Sequence, residues 1–274
     1  MGIEEKAGIG NFPIRKTKPY LMKILRIYFL MIYTFISMYG LLAQTDKSNL
    51  LKYNLSGLAV KYHAIQYERV LGPKHSFALT LGFSPSTSLP FKEQLITQYG
   101  NDAQARSAIE STVFDKFTIT PEYRFYLSSK APQGFYIAPF ARYSKMKMSQ
   151  NYSFIDSDNT THNPLISGTF TGFGGGLLLG AQWMLGKAVA LDLWLAGPFY
   201  GSQKGEFHAV DDKKIINTAG LESDIENTNL PLWNMDATVT NQTINGAQRA
   251  VIDVNLTGPF IGLRMLGLTL GIRF

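Results

Sequence analysis

The chain contains no cysteine among its 274 residues. That excludes a disulfide framework, a thiolate metal site, a cysteine nucleophile and a lipid anchor on an N-terminal cysteine. Charge is also scarce, with 17% charged residues against 13% aromatics and 25 glycines. After residue 44 there is no long apolar run, so no transmembrane helix is expected there. Hydrocarbon tolerates only helices and closed barrels, because unpaired backbone groups are too costly in it. A chain rich in glycine and aromatics, without further apolar runs, therefore points to a barrel. A basic surface is missing too. The formal charge is +6, but residues 1–44 hold six Lys/Arg and two Asp/Glu, and the remainder holds 20 and 18. The basicity sits in a segment expected to be removed, so no nucleic-acid partner is expected.

What is present at the start is a targeting pattern. Lys23 and Arg26 precede an apolar stretch from Ile27 to Tyr39, followed by Gly40 to Gln44 with small residues near its end. A positive n-region, an apolar h-region and small residues make a secretory signal peptide. Cleavage is expected beside Ala43, although Leu41 at the minus-three position departs from the small-residue pattern. Met22 is the natural start under this reading, which leaves residues 1–21 as an upstream extension or a misassigned start. A retained membrane anchor is the alternative. The domain plan is therefore 1–44, extension and signal peptide, and 45–274, an outer-membrane β-barrel.

Downstream, the apolar residues recur every second position, the period of a strand with two unlike faces. Phe77, Leu79, Leu81 and Phe83 alternate with Ser76, Ala78, Thr80 and Gly82. Phe117 to Leu127, Phe173 to Trp183, Val189 to Leu195 and Leu266 to Phe274 behave likewise. The opposite faces carry glycine and charges rather than a second apolar set. Apolar outside with small or polar inside is the transmembrane-barrel pattern. The connections fall into two classes. Those near Gly72–His75, 128–134 and 185–187 are short; 84–115, 149–167 and 203–257 are long and polar. Short turns on the periplasmic side and long loops outside give eight strands once Leu51–Leu58 is taken as the first. The fold class expected is all-β, an eight-stranded antiparallel transmembrane β-barrel. Within the long extracellular loop 203–257, Leu221–Asn227 could make a helical turn. There, Asp236–Ile244 and Ala247–Leu256 flank Asn245-Gly246, a strong hairpin signal.

Several stretches carry a family resemblance: Gln66–Arg69, Thr120–Leu127, Gly134–Tyr143, Gly174–Trp183, Gly258–Arg264 and Leu268–Phe274. Together they resemble a family of small outer-membrane barrels of unknown function, of OmpA/OmpX-like type, common in Bacteroidota and gut-type Gram-negative anaerobes. The resemblance implies fold and location. It brings no catalytic residues.

Candidate sites follow from alternation. Glu68, Glu122 and Asp192 face inwards, as do Arg124, Arg142 and Arg273, giving three charges of each sign. Buried charges need partners, so a neutralising network inside the barrel is expected. Phe274 ends the last strand and is expected to be an assembly signal for the barrel-assembly machinery, by likeness to other outer-membrane barrels. The glycine run 174–176 lies within a strand and lacks the following Lys-Ser/Thr of a phosphate loop; it gives room for large interior neighbours such as Trp194. Histidines 63, 75, 162 and 208 have no metal-ligand spacing. Asp211, Asp212, Glu222, Asp224 and Glu226 fit no calcium loop, and a hydrated acidic loop is favoured over a cation bridge to lipopolysaccharide. No cofactor is expected. The function expected is a non-enzymatic surface protein, structural or binding through its loops, with outer-membrane lipids, lipopolysaccharide and an unknown extracellular ligand as partners. A lipid-modifying acyl hydrolase or transferase is one alternative, built from His162 or His208, Ser153 or Ser167, and Asp156 or Asp158. A narrow pore is the other.

Overall fold

The computed structural model describes residues 48–101, 103–127, 130–151, 153–155, 159–211, 236–243 and 250–274. All belong to one compact unit, Lys47–Phe274. The expected signal peptide, the helical turn at Leu221–Asn227 and the Asn245-Gly246 turn lie outside the described residues.

Eight antiparallel strands close on themselves. In chain order the elements are β1 (Asn49–Asn54), β2 (His63–Gly72), β3 (His75–Ser88), α1 (Lys92–Tyr99), α2 (Ala103–Ser111), β4 (Val113–Tyr126) and β5 (Gly134–Asn151). There follow β6 (Phe154–Ile155), β7 (Thr161–His162), β8 (Leu165–Leu185), β9 (Val189–Asp211), β10 (Asp236–Thr243), β11 (Ala250–Pro259) and β12 (Gly262–Arg273). The ring runs β1-β2-β3-β4-β5-β8-β9-β12 and closes where Leu50 pairs Arg273 and Asn54 pairs Thr269. No helix among the described residues is long and apolar enough to cross a membrane.

The alternation seen in the sequence becomes a two-faced wall. Along β2 the buried residues are Ala64, Gln66 and Glu68, while Ile65 and Tyr67 between them are exposed. Phe77, Leu81, Phe125, Leu127, Phe173, Leu177 and Leu185 likewise stand on the outside. Side chains on the inner face are mostly polar or small, with an apolar cluster of Tyr126, Tyr136, Ala138, Phe140, Leu178 and Trp194 among them. Large interior rings lie against glycines. A Cβ at Gly267 would meet Trp194 at 2.3 Å, and one at Gly180 would meet the Tyr136 ring at 2.4 Å. Room for Trp194 is therefore provided by Gly267, not by the 174–176 run. Those glycines instead lie against the Tyr200, Pro198 and Phe140 side of the wall.

Three expectations need correction. The first strand is Asn49–Asn54, not Leu51–Leu58. Ser56–Val60 forms a 3-10 turn, closed by Lys61 in the left-handed region and by the Asn54 side chain accepting from Gly57 N at 2.7 Å. Segment 84–115 is not a plain loop, since β3 and β4 extend into it and two helices join them. Finally, β10 and β11 do pair as a ribbon, but Thr243 faces Ala250. A two-residue Asn245-Gly246 turn would set Thr243 against Gln248. β11 also pairs β9 from Ala250–Asp211 to Pro259–Ser202, so the wall continues upwards past the ring on that side.

Candidate functional site

The inner face gathers charge from five strands. Alternation turns Lys52 (β1), Glu68 (β2), Glu122 and Arg124 (β4) and Asp192 (β9) into the lumen, and Arg264 (β12) joins them; all are buried. Lys52 Nζ lies 2.5 Å from Glu68 and 2.8 Å from Asp192. Arg124 reaches Asp192 at 2.8 Å, Glu122 at 3.0 Å and Glu68 at 3.4 Å. Arg264 Nη2 meets Glu122 at 2.8 Å. Neutral donors complete the carboxylate shells: Tyr126 and Ser76 donate to Glu68 at 2.6 and 2.5 Å, and Tyr136 donates to Asp192 at 2.8 Å. Gln182 accepts from Lys52 at 2.7 Å, and Gln66 accepts from Arg124 at 3.0 Å. Three carboxylates meet three cations, so the cluster is formally neutral. That balance matters because a charge stranded without a partner costs several kcal/mol, on the order of what holds a small domain together.

The structure brings together four of the six charges singled out in the sequence: Glu68, Glu122, Arg124 and Asp192. Arg142 stands higher, 3.5 Å from Thr120 Oγ1 and 5.8 Å over the Phe199 ring. Arg273 stands opposite Leu50 at the short-turn end. Lys52 and Arg264 take the places expected for those two. Lys52 had a signal, since Leu51, Tyr53 and Leu55 alternate with Lys52 and Asn54. Arg264 had none. Strict alternation back from Arg273 would turn Met265 inwards. Leu266 instead takes a positive φ of 51°, and Arg264 and Gly267 both end up buried while Met265 and Leu266 are exposed. The neighbouring strand has a matching irregularity, because Leu179 pairs Ala196 while Gly180 pairs Trp194, leaving Leu195 as an extra residue. Facing bulges of this kind re-aim side chains without breaking the wall.

Above the cluster the lumen opens. A cavity of about 550 Å³ is lined by Lys116, Arg142 and Arg264 among aromatic and apolar side chains that include Phe170, Phe199 and Phe260. None of the described residues that line it is a carboxylate. Arg264 is packed between Phe140 at 4.7 Å and Trp194 at 4.5 Å, and its Nε and Nη1 have no hydrogen-bond partner. Higher still, a second cavity of about 610 Å³ is lined by Ser167, His208 and Asp253, among others. His208 Nδ1 lies 2.6 Å from Asp253, and Ser167 faces His208 across β8 and β9. The Ser167 hydroxyl points at the His208 carbonyl oxygen, 3.4 Å away, rather than at the imidazole. His162 is buried and bonded to Asp211 at 2.7 Å. Asp156 and Asp158, the acids first weighed for a catalytic set, lie outside the described residues, as do Asp212, Glu222, Asp224 and Glu226.

The family model described as "Protein of unknown function (DUF3575)" matches residues 27–221, more than half of the chain. The chain belongs to that family. The DUF3575 match takes in β1 to β9, hence Lys52, Glu68, Glu122, Arg124 and Asp192. Arg264, β11 and β12 lie beyond it, so the strand that closes the ring and carries the third cation falls outside the matched span. No curated protein matches the chain.

Proposed function

We propose that this DUF3575 protein is an integral outer-membrane β-barrel that acts without catalysis, binding a ligand through the upper half of its lumen and its long-loop end. The observation that carries this reading is the closed ring with its inverted faces: apolar side chains outside, a buried ion cluster inside. In water such an outer surface would be an aggregation liability, whereas in a bilayer it is solvated by lipid. The signal peptide, cleavage beside Ala43, Phe274 as an assembly signal, lipopolysaccharide as neighbour and the Bacteroidota-type, OmpA/OmpX-like kinship belong to the same proposal. The aromatics Phe83, Phe117, Phe173 and Tyr200, high on their strands, suit one interface belt. The packed cluster of Arg124, Tyr126, Tyr136 and their partners favours binding over conduction, since a ring of eight strands encloses little more than its own side chains.

Membrane fractionation and gel mobility test the reading. The mature protein should begin near Gln44, stay with the outer membrane and run anomalously when loaded unboiled. Protease added to intact cells should cut only at the long-loop end. A soluble protein, or cuts that need the outer membrane opened first, would overturn the reading or reverse its topology. An acyl-transfer enzyme is a second reading, supported by the row Ser167, His208 and Asp253 on three adjacent strands. Release of acyl chains from labelled lipid A that Ser167→Ala abolishes would establish it.

A further inference from the structure

Among the described residues, the wall around the 550 Å³ cavity has a gap. β1 ends at Asn54, opposite Thr269, and the last bonds on that side of β12 join Leu268 to Leu55 N at 2.8 Å and to Ser56 Oγ at 3.1 Å. β12 nevertheless begins at Gly262 and remains paired to β9 throughout. Residues 262–267 therefore have no strand beside them on the β1 side among the described residues. Across the gap, β3 continues past its last pair with β2, His63–Phe83, to Ser88. The 3-10 turn Ser56–Val60 forms the sill, and β10, paired to β11 from Asp236–Thr257 upwards, forms the lintel. A continuous strand would give a lumen alternate residues only. Here three consecutive strand residues, Gly262, Leu263 and Arg264, line the cavity, so it wraps the bare strand edge and reaches the outside.

The frame of this window is apolar along β12 and the sill, and polar along β3, where Ser84 to Ser88 run and Ser88 accepts from Lys61 at 2.8 Å. Leu263 and Met265 are 52% and 53% exposed, and on the sill Leu58 is 49% exposed. Leucines at the tip of a connection are out of place in water and suited to hydrocarbon. Inside the window the chemistry reverses. Arg264 is balanced by Glu122 in the neutral cluster, but none of the ion pairs among the described residues gives Lys116 or Arg142 a carboxylate, which leaves two positive charges facing the cavity. A passage apolar along β12 and the sill, leading to cations without an ion pair and to unpartnered Arg264 N–H groups, matches one class of molecule.

We propose that the cavity binds a single-chain anionic amphiphile, its carboxylate or phosphate head on Lys116, Arg142 and Arg264 and its hydrocarbon tail leaving through the window between β12 and β3 into the membrane. The volume of the cavity is within the range of ligand sites and suits a head with the first part of a tail. Arginine forks bind either head by paired N–H donors. This proposal rests on the outer-membrane reading.

Titrating the detergent-folded full-length protein with hexadecanoate, hexadecyl phosphate, hexadecanol and inorganic phosphate, followed by native mass spectrometry, tests it. Both C16 anions should bind saturably at one site, at least about tenfold tighter than the alcohol or free phosphate, a tenfold ratio being 1.4 kcal/mol. The double variant Lys116→Gln/Arg142→Gln should lose at least that factor while keeping the unboiled gel mobility of a folded barrel. In the variant Leu263→Trp, a chain-brominated hexadecanoate should quench the new tryptophan saturably, and the double variant should remove that saturable part. Equal binding of hexadecanol, or of inorganic phosphate, would overturn the proposal using the unmodified protein alone, whether or not the variants fold. A folded, membrane-inserted barrel that binds none of the four probes would sink this proposal and leave the outer-membrane reading standing. A protein that never inserts would remove both.

Discussion

Arg124 is bonded to Glu68, Glu122 and Asp192 at once and lies 4.4 Å over the Tyr136 ring. Its loss leaves three buried carboxylates with only Lys52 and Arg264 between them. Arg124→Met should therefore destabilise the barrel by about 3–5 kcal/mol, the cost of stranding a buried charge. Replacing Glu122 and Arg124 together with apolar residues should cost less than the two single changes added, though not nothing, because Arg264 also depends on Glu122. Urea unfolding in lipid measures the cycle, and strict additivity would show that the pair is not coupled. Glycine offers a second contrast at this scale. Tyr136, beneath which Gly180 lies, is fixed by Asp192 and Arg124, so Gly180→Ala should cost about 1–3 kcal/mol, as overpacking does. The nearest atom to a Cβ at Gly175 is the Phe140 carbonyl oxygen at 3.4 Å, so Gly175→Ala should be far milder in the same assay.

Among the elements, the last strand matters most to assembly. Phe274 donates its N–H to the Asn49 carbonyl at 2.8 Å and accepts from Asn49 N at 3.1 Å, so it closes the ring through its backbone as well as presenting a ring. Deleting Phe274 should lower the yield of assembled protein more than Phe274→Ala, which keeps both bonds; pulse-chase assembly assays would separate the two contributions. Equal yields from the deletion and the intact chain would remove both roles. The elements also mark how far the sequence could be read. Period-two alternation located the strands of the ring and which face of each is apolar, because in a wall two faces deep that pattern is the packing itself. It could not locate Arg264, since a single positive-φ residue at Leu266 reverses the faces on one side of it and leaves no trace in composition. It read β1 too long because the apolar residues of the 3-10 turn continue the strand pattern, while the turn depends on the Asn54 side chain capping Gly57 N. Long polar segments likewise read as loops, yet β9 runs to Asp211 because β8 and β11 flank it on both edges.

For the molecule as a whole, the neutral cluster predicts electrical silence. Planar-bilayer recordings should show no stable conductance step, and Arg124→Met, which removes the cation bonded to all three carboxylates of the plug, should be the first variant to leak. The seam between β1 and β12 has a mechanical meaning too. It holds five residue pairs, against nineteen between β8 and β9, and its two strands bring Asn49 and Phe274 side by side. Force applied to those two residues would act across the strands, loading one bond at a time rather than the whole ladder. The ring would then come apart as a zip does, opening at the seam and shedding hairpins in sequence. A tether on either of these residues alone would leave it closed.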